Sequence, residues 1–530
     1  LDASLQRAVR PPRVLLLAFV LGVVALVLVG RILLTSGSQA SAGGMADVAN
    51  APAASETVSV GAPTAAPPIA KGFLGFSVEY QSIAVDAGSA SDPDTVLDRL
   101  VTALNPGGRP VIRIGGDSTD HTWYPVAGVD NPGLTYALTP AWLASVRTFA
   151  SATDAKLILG IDLEVDDPQV AEAEARALLD GIGTPHILRW EIGNEPNLYA
   201  SFPWYLKVAG NPDSGFFTRP RSYSFDQYLQ DVDATALTLP DVPLAGPALG
   251  SPAWMAHLPQ MLAAEPNLRT VTYHAYPLNC YAKVGNPAYP SIPDLLANTA
   301  SEGLAASVAG FATEARAAGR QFRVDELNTS ACGGSTGVSD AFASALWATD
   351  TLFAMASKGV SGVNIQTFNS SRYKPFAFSR VNGHWVAQVE PMYYGLRLFA
   401  EAAPAGSRLL RVRTTGAKNV RGWAAQTPAA HGDSHPGPET VTLINDNPTH
   451  AETLNVRVPD TRGGTLVRMR APSVRATGGV TLAGTSYGSS TSTGRPTGAT
   501  IADTISPGAK ATYEVSLPPA SAALLTLRRR

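Results

Sequence analysis

Short apolar runs recur along the chain from Gly72 onward, near-continuous rather than alternating, with amphipathic stretches between them. GFLGFSVEY begins at Gly72, PVIRIGG at Pro110, KLILGIDL at Lys156 and HILRWEIGN at His186. VPLAGPAL at Val242, TVTYHAY at Thr270, QFRVDEL at Gln321 and GVSGVNIQTF at Gly359 bring the strand candidates to eight. Runs of this kind predict strands buried on both faces. The clearest helical period predicts a helix over 339–358, with Phe342, Leu346 and Phe353 on one face and Gly359 as its cap. Strand and helix alternating in this way predict an α/β fold, a closed (β/α)8 TIM barrel, over residues 71–404. An open doubly wound sheet is the structural alternative, but neither G-x-G-x-x-G nor a P-loop comes after any strand. After Pro404 the pattern changes. Residues 405–530 are rich in Val, Thr, Gly and Ser, carry frequent turn signals and have no long helical period, which predicts an all-β sandwich.

The N-terminal end has a different pattern. Arg7, Arg10 and Arg13 precede an uncharged run from Val14 to Gly30, and Ala40, Ser41 and Ala42 supply an A-x-A cleavage pattern. Residues 1–35 therefore predict a signal peptide or a transmembrane anchor, both outcomes being open. Positive charge ahead of the run puts the rest of the chain outside, in an extracellular or cell-surface location, with a membrane contact if the segment is uncleaved. Residues 36–70, Ala/Pro/Ser-rich with few large apolar side chains, predict a linker.

Charge and composition exclude several functions. The 530 residues hold 40 basic and 43 acidic side chains, a net charge of −3. That leaves no cationic excess for a phosphate backbone, so no nucleic-acid partner is expected. Eight His and two Cys form no zinc spacing and no H-E-x-x-H occurs, so neither a metal nor an organic cofactor is expected. The strings G-x-S-x-G at Gly333–Gly337 and Gly484–Gly488 do not lie on a strand-to-helix turn, as a nucleophile elbow would. Cys280 and Cys332, an even count in an exported segment, favour one disulfide over two free thiols. A Cys/His pair with His274 is the sharper alternative, disfavoured because an exposed thiol oxidises outside the cell.

Two carboxylates stand out by position. The fourth predicted strand runs into Asn194 and Glu195, and the seventh into Asp325 and Glu326. C-terminal strand ends converge on the active site of such a barrel, and strands four and seven lie across its mouth from each other. Two facing carboxyl groups suit glycosidic bond cleavage, one to protonate the leaving oxygen and one to attack or stabilise the oxocarbenium centre.

The motifs IRIGGDSTD from Ile112, EIGNEPN from Glu191, YHAYP from Tyr273, DELNTSACGG from Asp325, NIQTFN from Asn364 and PMYYGLRLFA from Pro391 resemble glycoside hydrolase family 79. This is the family of heparanase and several β-glucuronidases, within clan A of the retaining glycosidases. The resemblance spans roughly residues 57–530. It implies double displacement with retention, with Glu195 as acid/base, Glu326 as nucleophile and an oligo- or polysaccharide or glycoside as substrate.

The neighbouring residues agree with that chemistry. Arg113 at the end of strand two is expected to hold Glu326 charged, and Tyr276 at the end of strand six to donate to the same carboxylate. Asn194 is placed for the sugar 2-hydroxyl. Glu79, Asp117, Asp120 and His274 are candidate hydroxyl ligands at the mouth. Aromatics that thicken near the rim (Trp123, Tyr124, Tyr199, Trp204, Tyr205, Tyr281 and Phe368) are candidate stacking platforms, one or two of them at most. One stretch departs from the family: glucuronide-specific relatives carry a Tyr ahead of the glycines after the nucleophile, where this chain has Cys332 and one extra residue. A thiol is a poor carboxylate donor, though the Gly333 and Gly334 amides could form an anion nest. A neutral-sugar β-glycosidase and a silent carbohydrate-binding protein are the alternatives, and the presence of both glutamates disfavours the second.

Overall fold

The computed structural model describes residues 56–416, 419–429 and 437–530. The expected signal or anchor segment and the first part of the linker lie outside the described residues. Among the described residues no helix is long and apolar enough to cross a membrane.

All eight predicted strands form. They are β1 (Leu74–Glu79), β2 (Val111–Gly115), β3 (Lys156–Ile161) and β4 (Ile187–Ile192), then β5 (Leu244–Leu249), β6 (Leu268–Ala275), β7 (Gln321–Leu327) and β8 (Gly362–Thr367). Each pairs in parallel with the next, and β8 returns to β1, closing the barrel. Helix starts reflect local chemistry: Asp94, Thr139 and Asp167 accept backbone N–H groups at three N-termini, and Ser224 forms a capping box with Gln227. The barrel interior is unusually polar. Ser77, Arg113, Glu191, Arg323, Asn364 and Gln366 project inward from the strands and bond to one another or to the backbone. Examples are Arg323 Nη1 to Asn364 Oδ1 at 2.7 Å and Asn364 Nδ2 to the carbonyls of Phe76 and Val111.

The predicted helix over 339–358 is observed as Ala343–Ser357, with Gly359 in the left-handed region beyond it (φ 80°). It does not have one apolar face; Ala343–Ala356 are buried on every side. The helices Leu304–Ala317 and Pro391–Ala402 pack against it, and Trp423 of the β module stacks on Phe353 at 5.7 Å.

The C-terminal module is one ten-stranded sheet curled around a second core that includes Val441, Leu443, Leu454, Val456, Tyr513 and Leu525. The linker expectation is corrected here. Thr57–Pro63, inside the expected 36–70 linker, is a strand of this module, antiparallel to Arg408–Thr415 and parallel to Glu452–Arg457. The physical reason is the alternation of TVSV, which buries Val58 and Val60 in the module core within an otherwise small-residue stretch. Met469, Val480, Leu482 and Tyr487 belong to the barrel's core cluster, and the amides of Phe342 and Ala343 donate to Ala476 and Val474. The module is thus packed and hydrogen-bonded onto the barrel helices.

Candidate active site

Glu195 sits just past β4 on a tight turn. Gly193 (φ 77°) and Glu195 (φ 49°) are both left-handed, and a Cβ on Gly193 would come within 2.6 Å of the Tyr199 hydroxyl. Asp120 anchors the turn: its carboxylate accepts the Asn194 amide at 3.0 Å, the Tyr199 hydroxyl at 2.8 Å and the Leu163 amide at 3.0 Å. Asp120 was expected as a hydroxyl ligand. Buried and fully occupied, it serves instead as the brace of the loop that carries Asn194 and Glu195.

Glu326 comes from β7, where the register slips. Tyr273 pairs with Val324 and His274 with Glu326, so β7 carries one extra residue, Asp325, opposite β6. The slip recurs against β8, where Val324 and Leu327 pair with Val363 and Ile365. A bulge of this kind lets two consecutive side chains turn inward. Glu326 then accepts the Tyr276 hydroxyl on Oε1 at 2.5 Å and Arg113 Nη1 on Oε2 at 3.0 Å.

Arg113 is the hub of the site. Fully buried, it donates from Nε to Glu191 at 2.5 Å, from Nη1 to Glu326 and Ser77, and from Nη2 to Asn194 Oδ1 at 2.9 Å. Burial disfavours its charge, but Glu191, Asp325 and Glu326 together raise its pKa well above the ordinary arginine value. With Oδ1 held by Arg113, the Asn194 amide group turns toward Asp117 Oδ1, 3.4 Å away.

His274 stands between the two strand-end glutamates. Its Nδ1 is 2.8 Å from Glu195 Oε1 and 3.8 Å from Glu326 Oε2. Burial works against its charge, and the Glu326 charge with the Glu195 hydrogen bond overrides burial, raising its pKa to about 9. Ligand atoms of Glu195, His274 and Glu326 lie within 4.8 Å of one another, a spacing a cation could bridge. With Nδ1 committed to Glu195, however, no free imidazole nitrogen faces Glu326.

The remaining expected residues divide. Glu79 lies inside the barrel end, accepting the Ser118 amide at 2.9 Å and Gln366 Nε2 at 3.0 Å; burial is the main cause that raises its pKa. Asp117 is accessible from the cleft, and enclosure by the cleft walls, then the charges of Glu79, Glu195 and Glu326, raise its carboxyl pKa. Gly333 is left-handed (φ 77°) and its carbonyl accepts the Arg372 amide, while the Gly334 amide donates to Ala331 at 3.4 Å. Half of the expected nest is therefore already used. Cys280 and Cys332 form a disulfide with a Cα–Cα distance of 6.1 Å, joining the loops after β6 and β7, which also pair at Leu278 and Ser330. Among the aromatics, Tyr199 and Trp204 are buried, so they pack the loop, while Tyr281 is exposed at the surface. Sequence reasoning missed Glu191, Asp325, Ser77 and Gln366. Inward parity on β4, β1 and β8 could have found the first, third and fourth, whereas Asp325 needed knowledge of the bulge.

No family model matches the chain. A β-glucuronidase of Aspergillus niger is 22% identical over 535 residues, covering 87% of this chain and 92% of that protein. A β-glucuronidase of Neurospora crassa is 25% identical over 182 residues, 30% of this chain and 32% of that protein. Among solved structures, a 4-O-α-L-rhamnosyl-β-D-glucuronidase from Fusarium oxysporum superposes with a TM-score of 0.66 at 18% identity, over 89% of this chain and all of that one. A family 51 arabinofuranosidase from Xanthomonas axonopodis pv. citri superposes at 0.58 and 13%, with the same coverage.

Proposed function

We propose that this chain is a retaining β-glycosidase of the glucuronidase type, similar to glycoside hydrolase family 79, exported to the extracellular space or cell surface. It is a glycoside hydrolase, and its substrate is a carbohydrate. The observation that carries the retaining reading is the spacing of the two glutamates, whose nearest carboxyl oxygens lie within 4.8 Å. Retaining enzymes hold their carboxyl groups about 5–5.5 Å apart, whereas inverting ones leave about 6.5–9.5 Å for a water.

In this reading Glu326 attacks the anomeric carbon as Glu195 protonates the departing oxygen, forming a glycosyl–Glu326 ester. Glu195 then takes a proton from water, which attacks the same carbon and releases the sugar with retained configuration. Arg113 and Tyr276 both donate to Glu326 and fix the direction of its carboxyl oxygens. Asn194, with Oδ1 fixed by Arg113, offers its Nδ2 to the sugar 2-hydroxyl. His274 keeps the Glu195 carboxyl turned toward the cleft.

A neutral sugar is the second reading. The Cys332 disulfide leaves no phenol after the nucleophile, and Asp117 puts a carboxyl in the open cleft where a uronate would meet it. The test assays residues 56–530 on aryl β-glucuronide, β-glucoside, β-galactoside and β-xyloside, with NMR detection of the first anomer released. Glucuronide turnover with the β-anomer first, falling by about 10³-fold or more in Glu326→Gln, is expected. Turnover of a neutral glycoside alone moves the substrate class, and α-anomer release overturns retention.

A further inference from the structure

Directly beneath the two glutamates lies a second carboxyl pair with no role in the chemistry described above. Glu191 from β4 and Asp325 from the β7 bulge have side chains of zero exposure and stand within hydrogen-bond reach of each other. Arg113 Nε donates to Glu191 Oε2 at 2.5 Å and stands 3.3 Å from Asp325 Oδ2, an ion-pair contact without a hydrogen bond. Glu191 Oε1 and both oxygens of Asp325 have no hydrogen-bond partner, and neither does His274 Nε2, which lies 3.8 Å from Asp325 Oδ1. Two ionised carboxylates are both acceptors and cannot satisfy each other; buried, they repel and leave orphaned oxygens. One proton between them removes both penalties.

One further buried cation stands near the pair: Arg323, two residues upstream on β7, whose pKa burial lowers to about 10 against the opposing Asp325 charge. Its guanidinium donates to Asn364 and to the Gly72 carbonyl, so it supplies no hydrogen bond to Glu191 or Asp325. The unpartnered oxygens of the pair therefore still call for a proton.

We infer that Glu191 and Asp325 hold one shared proton, resident on Asp325, and that this neutral carboxyl is a positioning residue that keeps Arg113 aimed at Glu326. The inference rests on the retaining reading for its consequence but not for its test. Glu191 is the member bound tightly by Arg113, so it is the one that stays charged. Burial would raise Glu191, yet the Arg113 charge holds it below the usual range; burial and then the Glu191 charge push Asp325 well above it. A charged Asp325 would compete for the guanidinium. A neutral one donates to Glu191 and leaves Nη1 to the nucleophile.

The experiment tracks His274, whose imidazole reports the charges around it, by NMR titration in the folded 56–530 chain and two variants. Asp325→Asn replaces a neutral carboxyl by a neutral amide, so the His274 midpoint should hold within a few tenths of a unit. The double variant Glu191→Gln/Asp325→Asn removes the one negative charge of the pair and should lower that midpoint by about one unit, whereas Glu191→Gln alone leaves Asp325 to take up that charge. A drop in Asp325→Asn as large as that in the double variant overturns the inference. If the double variant does not fold, the Asp325→Asn midpoint decides by itself. With a turned-over substrate in hand, kcat of Asp325→Asn should exceed that of Asp325→Leu by tenfold or more at similar KM. Equal losses in the two folded variants would reduce Asp325 to a space-filling role. Failure to find any substrate would count against the enzymatic reading and leave the titration result standing.

Discussion

At the scale of single residues, the site works by giving each carboxyl group a different set of donors. Glu326 receives a phenol and a guanidinium, whereas Glu195 receives only the imidazole of His274. In the proposed retaining mechanism, removing the phenol should therefore weaken Glu326 as nucleophile and leave Glu195 alone. Tyr276→Phe is expected to lower kcat for an aryl glycoside by about 10–100-fold, consistent with losing one hydrogen bond to a charged group, with a smaller change in KM. Equal losses in Tyr276→Phe and Glu326→Gln would contradict this assignment. His274 carries a pH dependence whose sign comes from its raised pKa of about 9. A histidine that gains its proton more readily when folded contributes stability that is complete below its unfolded value, about 6.5. That contribution is lost as pH rises from there through about 9. Thermal melts between pH 6 and 10 should show a decline that His274→Gln flattens, and a parallel decline in the variant would assign the loss to other groups.

At the scale of elements, the strands that build the barrel were legible because both of their faces are covered, so apolar runs mark them without any alternation to interpret. The same property hid the chemistry inside. Glu191 looks like one polar interruption in HILRWEIGN, and only the inward parity it shares with Arg189 shows that it faces Arg113. Asp325 was beyond reach, because strict alternation beside Glu326 would turn it outward and the bulge is visible only in the register. Above the strands, the loops after β6 and β7 are joined twice, by the Leu278–Ser330 pairing and by the Cys280–Cys332 disulfide. The disulfide closes a separation of 52 residues, for which chain entropy alone gives about 4 kcal/mol as an upper figure. Replacing both cysteines by alanine should lower the melting temperature and raise KM several-fold. kcat should change little, because Glu326 is fixed from β2 and Tyr276 rather than from the rim. A collapse of kcat with unchanged KM would show that the staple reaches Glu326.

For the whole molecule, the telling element is the strand that composition concealed. Thr57–Pro63 sits in an Ala- and Pro-rich stretch, and its four-residue alternation is too short to outweigh that context. Yet it lies between Arg408–Thr415 and Glu452–Arg457, so without it those two strands become open edges facing a gap. Val58 and Val60 are buried at 0% and 6% exposure, which at about 1.5–3 kcal/mol each amounts to about 3–6 kcal/mol of transfer energy. That is a large share of the stability of an ordinary domain. The consequence should pass to the barrel, because Met469, Val480 and Tyr487 of the module complete the packing over the helices after β7 and β8. A chain beginning at residue 66 is therefore expected to melt well below one beginning at residue 56 and to lose activity on mild heating, and Val58→Asp in the longer chain should reproduce both effects. If the two chains melt together, the strand only decorates the sheet. If the module alone melts early while the barrel stays active, the two cores are independent and the bracing contacts carry little free energy.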